Sequence, residues 1–110
     1  MPSMNVLPAN ANVFHAISDP TRRALIDLLA DREQPVNSLC GKFDMTQPAI
    51  SQHLRVLRTA GLVDERRDGR QRIYRLNPGP LKEIADWVNR YEQFWEKKLD
   101  ALAVFLEKES

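Results

Sequence analysis

The sequence predicts a mainly α-helical domain of about five helices with one small two-stranded β-hairpin. Three observations lead there. Apolar residues recur at helical spacing before residue 58 and again after residue 80. Between these stretches, two strand-like runs flank Asp68-Gly69, a pair suited to a type I′ hairpin turn, whose two central residues need φ > 0. Two helix starts are marked by Asp19-Pro20 and by Thr46 ahead of Pro48, an N-cap acceptor followed by a proline whose missing N–H does no harm in the first turn.

Residues 1–11 lack periodicity and read as a flexible N-terminal arm, leaving one domain over 12–107. Val13, Phe14 and Ile17 suggest a short first helix. The second runs from Pro20 to about Ala30, with Leu25, Ile26, Leu28 and Leu29 as a broad apolar face, and 31–35 reads as a turn. Val36, Leu39, Cys40 and Phe43 fall at i, i+3, i+4, i+7, a short amphipathic helix with Asn37 near its start. Thr46 caps the next helix, with Met45 and Ile50 at the positions of a hydrophobic staple. Ile50, Leu54 and Leu57 make its buried face, and Gly61 ends it as a C′ glycine with Leu62 folding back. Val63–Arg67 and Gln71–Leu76 are the strands. After Asn77-Pro78-Gly79-Pro80, a single long helix is expected from Leu81 to about Glu107.

At 110 residues there is room for one core only. The lone Cys40 excludes an intrachain disulfide, and no apolar stretch is long enough to span a bilayer. No signal peptide is evident, so the cytoplasm is the expected location. Net charge is +1, yet it is unevenly spread: residues 55–75 carry seven arginines against three carboxylates. Two readings of that cluster stand level on charge alone, a local phosphate-binding surface and a solvated charged hairpin.

Short helix, tight turn, capped helix and basic hairpin, in that order over 36–76, compose a winged helix-turn-helix. In such a unit the second helix enters the major groove of double-stranded DNA. At 100° per residue, Pro48, Gln52 and Arg55 face away from the apolar side, with Gln47 and Ser51 on the flank. Gln pairs bidentately with adenine and Arg with guanine, while Pro48 and Ala49 suit a close approach or a thymine methyl. An ordinary polar solvent face would look much the same. Arg66, Arg67, Arg70 and Arg72 around Gly69 form a basic ribbon suited to phosphates or to an adjacent minor groove. Tyr74 either packs beneath that ribbon or donates to a phosphate. His53 borders the core face, so a DNA contact and a local hydrogen bond both remain open. The competing class is an interaction module whose hairpin takes a protein partner or RNA. No nucleophile-base-orienter set or phosphate loop points to an enzyme.

Ser18-Asp19-Pro20-Thr21-Arg22-Arg23, then Thr46 to Leu57 (TQPAISQHLRVL), then Ala60-Gly61-Leu62-Val63 resemble the ArsR-type winged-helix repressors over about residues 12–105. The resemblance implies a homodimer built from the first and last helices that binds an imperfect inverted repeat. It implies that Gln47, Ser51, Gln52 and His53 lie at or near the DNA, with Arg67–Arg72 as the wing. Many relatives sense metals. Here the thiolate positions of that family are Pro35 and Asn37, the last helix holds no histidine, and His15 and His53 sit in different helices. No metal or other cofactor is expected, and Cys40 reads as a core thiol. The aromatic pattern of the last helix is similar to that of a subgroup not built around metal sensing.

That last helix carries Trp87, Tyr91, Phe94, Trp95 and Phe105 besides its aliphatics, more than one side can bury. A second copy is the economical cover, with Val13, Phe14, Ile17, Tyr91, Trp95, Leu99 and Leu102 as the expected interface. A pocket among the aromatics for an unidentified apolar effector is a further reading.

Overall fold

The computed structural model describes residues 12–109; the expected N-terminal arm lies outside the described residues. The order of elements is α1 (Val13–Ala16), α2 (Pro20–Asp31), β1 (Gln34–Pro35), α3 (Val36–Cys40), α4 (Gln47–Thr59), β2 (Val63–Asp68), β3 (Gln71–Leu76), α5 (Leu81–Asn89) and α6 (Glu92–Glu109). The winged helix-turn-helix is present as read, with three departures.

Local chemistry fixes the helix ends. The Asp19 carboxylate accepts from the backbone N–H groups of Thr21 and Arg22 at 2.8 and 3.1 Å, and Pro20 follows as the first residue of α2. Thr46 Oγ1 accepts from the Ala49 N–H at the head of α4. At its tail, Leu62 N–H reaches the Leu57 carbonyl at 3.0 Å and Gly61 N–H the Arg58 carbonyl at 2.9 Å, with Gly61 at φ 80°. This paired closure satisfies carbonyls that the helix leaves open and returns Leu62 to the core. Met45 stays exposed, its sulfur taking the Thr21 hydroxyl at 3.9 Å.

Leu25 of α2, Leu39 of α3, Ile50, Leu54 and Leu57 of α4 and Leu62 are fully buried together. They are the periodic apolar positions of three helices, and their burial positions α4 against α2 and α3 with its polar face outward.

The first departure is β1. Gln34 and Pro35, expected in a turn, pair antiparallel with Tyr74 and Ile73, so the hairpin is extended to a three-stranded sheet of order β1-β3-β2. Gln34 is buried there, donating to the Leu28 carbonyl at 2.9 Å and accepting from Ser38 Oγ at 3.0 Å. The second is the hairpin turn. Asp68 pairs with Gln71, the loop is Gly69-Arg70, and only Gly69 has φ > 0, at 66°. Glycine at the first central position alone is the type II′ pattern, not type I′.

The third is the last helix, which is two. The N–H groups of Arg90 and Tyr91 reach back three residues, to Trp87 and Val88, and the regular helical ladder lapses between α5 and α6. Trp87, Tyr91 and Phe94 meet in succession along this joint, the first pair edge-on and the second tilted, with ring centroids 5.7 and 6.1 Å apart. Neither α5 nor α6 buries a residue completely. The radius of gyration is 18.7 Å, against about 13 Å for a compact chain of this length. The excess reflects an arm of helix that extends from the body.

Candidate nucleic-acid interface

The head and outer face of α4 are open. Thr46, Gln47, Pro48, Ser51, Gln52 and Arg55 are exposed, and Ala49 is half-buried at the first turn. Their disposition follows from the core: once Ile50, Leu54 and Leu57 turn inward, these positions turn outward.

The hairpin has two distinct faces. Cross-strand partners share a face, so Glu65, Arg67, Arg72 and Tyr74 lie on one side and Asp64, Arg66, Ile73 and Arg75 on the other. The first side meets α4. A groove of about 540 Å³ runs between them, lined by Pro48, Ser51, Gln52, Arg55, Arg58, Arg72 and Tyr74. A second cleft of about 290 Å³, sharing Ser51, Arg72 and Tyr74, continues past Gln47 to Asn37, Arg70 and Gln71. The candidate reading residues and the wing thus border one continuous polar trough.

Arg67 and Arg72 stand directly opposite each other. Like charges at such a pair repel, an arrangement that an anion relieves. Among the described residues, Arg67 and Arg70 pair with no carboxylate. Arg66 differs from its neighbours. It points to the far side of the sheet and is held by Glu33, so the structure separates it from the trough.

Tyr74 is packed beneath the ribbon, only 4 % exposed. Burial, then the charge and hydrogen bond of Glu65, hold its phenol above the ordinary 10.0, with Arg72 opposing. Glu65 also accepts from Arg58 at 2.7 Å and lies 3.9 Å from Arg72 Nε. Asn37, Arg58, Gln71 and Glu65 escaped the sequence reading. Arg58 was within its reach, since 51, 55 and 58 fall on one helical face; the others are visible only once the sheet is folded against α4.

His53 is not on the open face. It is half-buried, and its Nδ1 lies 3.1 Å from Arg22 Nη1. Arg22 itself is buried, reaching the carbonyls of Ala16 and His15 at 2.7 and 3.2 Å. Asp19 Oδ2 is 3.9 Å from the same His53 nitrogen. Burial raises the Asp19 pKa, but the Arg22 N–H, the charge that His53 carries when protonated, the Thr21 N–H and the Arg22 charge outweigh it and leave it below 3.8.

Of the expected interface residues, Val13 is corrected: at 4 % exposure it belongs to the chain's own core, because α1 is a single turn laid inward. Phe14 and Ile17 are half-buried against that core, Phe14 meeting Trp87 edge-on at 5.7 Å. Tyr91, Trp95, Leu99 and Leu102 are all exposed, Trp95 and Leu99 by 62 and 63 %. Trp87, Val88, Tyr91 and Trp95 line an open apolar depression of about 300 Å³. At the positions tested for thiolate ligands, Pro35 is a strand residue and Asn37 an exposed helix residue. Cys40 is half-buried at the core edge. No helix among the described residues is long and apolar enough to cross a membrane.

Residues 19–65 match the sequence profile of the bacterial regulatory protein, arsR family. The chain is 36% identical over 96 residues to the HTH-type transcriptional regulator Rv2034 of Mycobacterium tuberculosis, covering 87% of each. It is 38% identical over 77 residues to the transcriptional repressor SdpR of Bacillus subtilis, covering 70% of this chain and 86% of that one. An ArsR-like transcriptional regulator from Rhodococcus sp. RHA1 superposes with a TM-score of 0.69 at 31% identity, over 91% of this chain and 92% of that one. The capped helix, the basic wing and these likenesses agree: the chain belongs to the arsR family of bacterial regulatory proteins and is a DNA-binding transcriptional regulator.

Proposed function

We propose that the protein is a repressor that binds an inverted-repeat operator as a homodimer, without catalytic activity of its own. The observation that carries this reading is the shared trough, where the open face of α4 and the arginine face of the hairpin meet. A helix laid in the major groove there presents Gln47, Ser51, Gln52 and Arg55 to base edges, while Arg67, Arg70 and Arg72 reach the flanking backbone. A single such helix spans few base pairs, and the apolar surface of α5 and α6 supplies the means to pair two. A DNA target favours the cytoplasm as the site of action. The name of SdpR supports the repressing sign.

The experiment is selection of preferred duplexes from a random pool by the purified protein. Enrichment of an inverted repeat, with half-site centres about 34 Å apart, is expected. A pool that stays random, or that enriches a single unpaired half-site, overturns the reading.

A further inference from the structure

Arg22 is one of two polar or charged residues buried in the described protein, and each of its three guanidinium nitrogens has a partner. Nε donates to the Ala16 carbonyl at 2.7 Å and Nη2 to the His15 carbonyl at 3.2 Å, both at the end of α1. Nη1 lies 3.1 Å from His53 Nδ1, midway along α4. A guanidinium only donates, so Nδ1 accepts and the ring proton sits on Nε2. The nearby Asp19 carboxylate is too far for a hydrogen bond at 3.9 Å and is already engaged by two backbone N–H groups.

We propose that Arg22 is a positioning residue for DNA reading, pegging α4 to α1 through His53 and fixing the Nε2–H tautomer of that histidine. This deepens the proposed function and rests on α4 being the reading helix. Leu54 and Ile50 hold α4 by apolar contact, which resists separation more than rotation. The guanidinium fork adds direction, since its planar donors fit their acceptors only at one setting of the helix. With side-chain tips about 6 Å from a helix axis, a 10° roll, taken as an order-of-magnitude slip, moves Gln52 and Arg55 by about 1 Å. That is enough to spoil a bidentate bond to a base. The same fork holds the end of α1, whose Phe14 meets Trp87. The reading helix is thereby indexed to the surface proposed for self-association.

Two substitutions separate this role from direct contact. His53→Asn keeps an acceptor near Nδ1 and discards the distal nitrogen; His53→Gln places its amide near Nε2 and discards the proximal acceptor. Positioning predicts that His53→Asn binds the selected operator within about twofold of wild type, while His53→Gln loses about tenfold. The loss should be even across the half-site, with affinity for random duplex unchanged. Retention by His53→Gln with loss in His53→Asn makes Nε2 a DNA contact and overturns the proposal. Retention by both, or loss in both at equal folded fraction by circular dichroism, overturns it as well. Long-range proton–nitrogen correlation spectra of the free wild-type protein give a second reading, independent of DNA: an Nε2–H ring is expected, and an Nδ1–H ring refutes the peg. Wild-type protein that binds no duplex would instead defeat the function proposed for α4, leaving the tautomer result intact.

Discussion

Arg58 on α4 donates to the Glu65 carboxylate on β2 across 2.7 Å, joining the proposed reading helix to the hairpin on the side of the trough. The same carboxylate faces Tyr74 and Arg72. It therefore gathers two arginines of the trough and a buried phenol around one negative charge. Glu65→Gln should lower the Tyr74 pKa toward 10.0, because the carboxylate's charge and hydrogen bond follow burial among the causes of its rise. A phenol whose folded pKa is raised contributes stability that is whole below the unfolded value and is lost as pH climbs through the folded one. The decline in stability above pH 10.0 should thus be shallower in Glu65→Gln, while at pH 7 the change stays within about 1 kcal/mol for a partly exposed pair. Titration of the Tyr74 ring carbon by NMR, with urea unfolding at both pH values, checks this; an unmoved ring titration would mean that Glu65 does not act on Tyr74.

Asp19 supplies a second pH prediction. Asp19→Ala removes the acceptor for two N–H groups at the head of α2 and should cost about 1 kcal/mol at pH 7. Asp19→Asn keeps an acceptor and should cost less. The folded pKa of Asp19 lies below 3.8. Its charge therefore stabilises the fold above 3.8 and ceases to do so as pH falls through the folded value. Urea midpoints of wild type should fall more between pH 7 and pH 3 than those of Asp19→Asn, and parallel declines would remove Asp19 from the acid response.

The two faces of the hairpin predict unequal arginines. Arg70→Ala and Arg72→Ala should each weaken binding to every duplex alike and reduce the slope of log affinity against log salt by about 0.9. Arg66→Ala should leave the slope unchanged, because Arg66 points away from the trough and is held by Glu33. Fluorescence anisotropy across a salt series measures all three. An equal effect of Arg66→Ala would place the DNA on both faces of the sheet.

Gln52 is the test of base reading. It is exposed on α4 and lines the groove beside Arg55. Gln52→Ala should cost about 1–3 kcal/mol on the preferred site and flatten preference at one base pair in each half-site. Binding profiles identical to wild type at every position would show that Gln52 reads nothing.

The elements legible in the sequence are those written in periodicity and caps. Ile50, Leu54 and Leu57 announce the buried side of α4, and Asp19, Thr46 and Gly61 mark ends that the backbone bonds confirm. What escaped has no local signature. β1 is two residues long and includes Pro35, tolerated on an edge strand, so no alternation could reveal it. The joint at Arg90 and Tyr91 holds neither glycine nor proline, and its spacing of apolar residues runs on unbroken. Arg22 stood in the sequence only as part of the run Ser18 to Arg23; its burial comes from carbonyls of α1 and a ring of α4 that only tertiary contact brings near. The outer face of α4 was legible by elimination, whereas the side of the sheet taken by each wing arginine depended on strand register.

Self-association is the prediction on which the proposed mechanism depends most. α6 runs 18 residues with no buried side chain, and Trp95, Leu99, Leu102, Phe105 and Leu106 along it are each more than half exposed. Burying apolar surface returns about 25 cal/mol per Å², so leaving this helix in water is a large cost that a second copy removes. Trp95 is the expected anchor: at 62 % exposure it is among the most open large side chains, and it borders the depression formed with Trp87, Val88 and Tyr91. A cleft on one copy and a ring to fill it are the ingredients of a self-complementary two-fold contact. Since Val13 is spent in the core, the contribution of α1 is confined to Phe14 and Ile17, and the burden falls on α5 and α6. Trp95→Ala should therefore shift the protein toward monomer by about 2 kcal/mol or more, while the folded body around Leu54 and Leu57 keeps its structure. Affinity for the full operator should fall far more than affinity for an isolated half-site, because only the former needs two helices held about 34 Å apart. Sedimentation equilibrium at micromolar concentration, with operator and half-site titrations beside it, provides the check. A wild-type protein that sediments as monomer and binds the half-site as tightly as the full operator would show that the exposed face of α6 serves something other than a second copy.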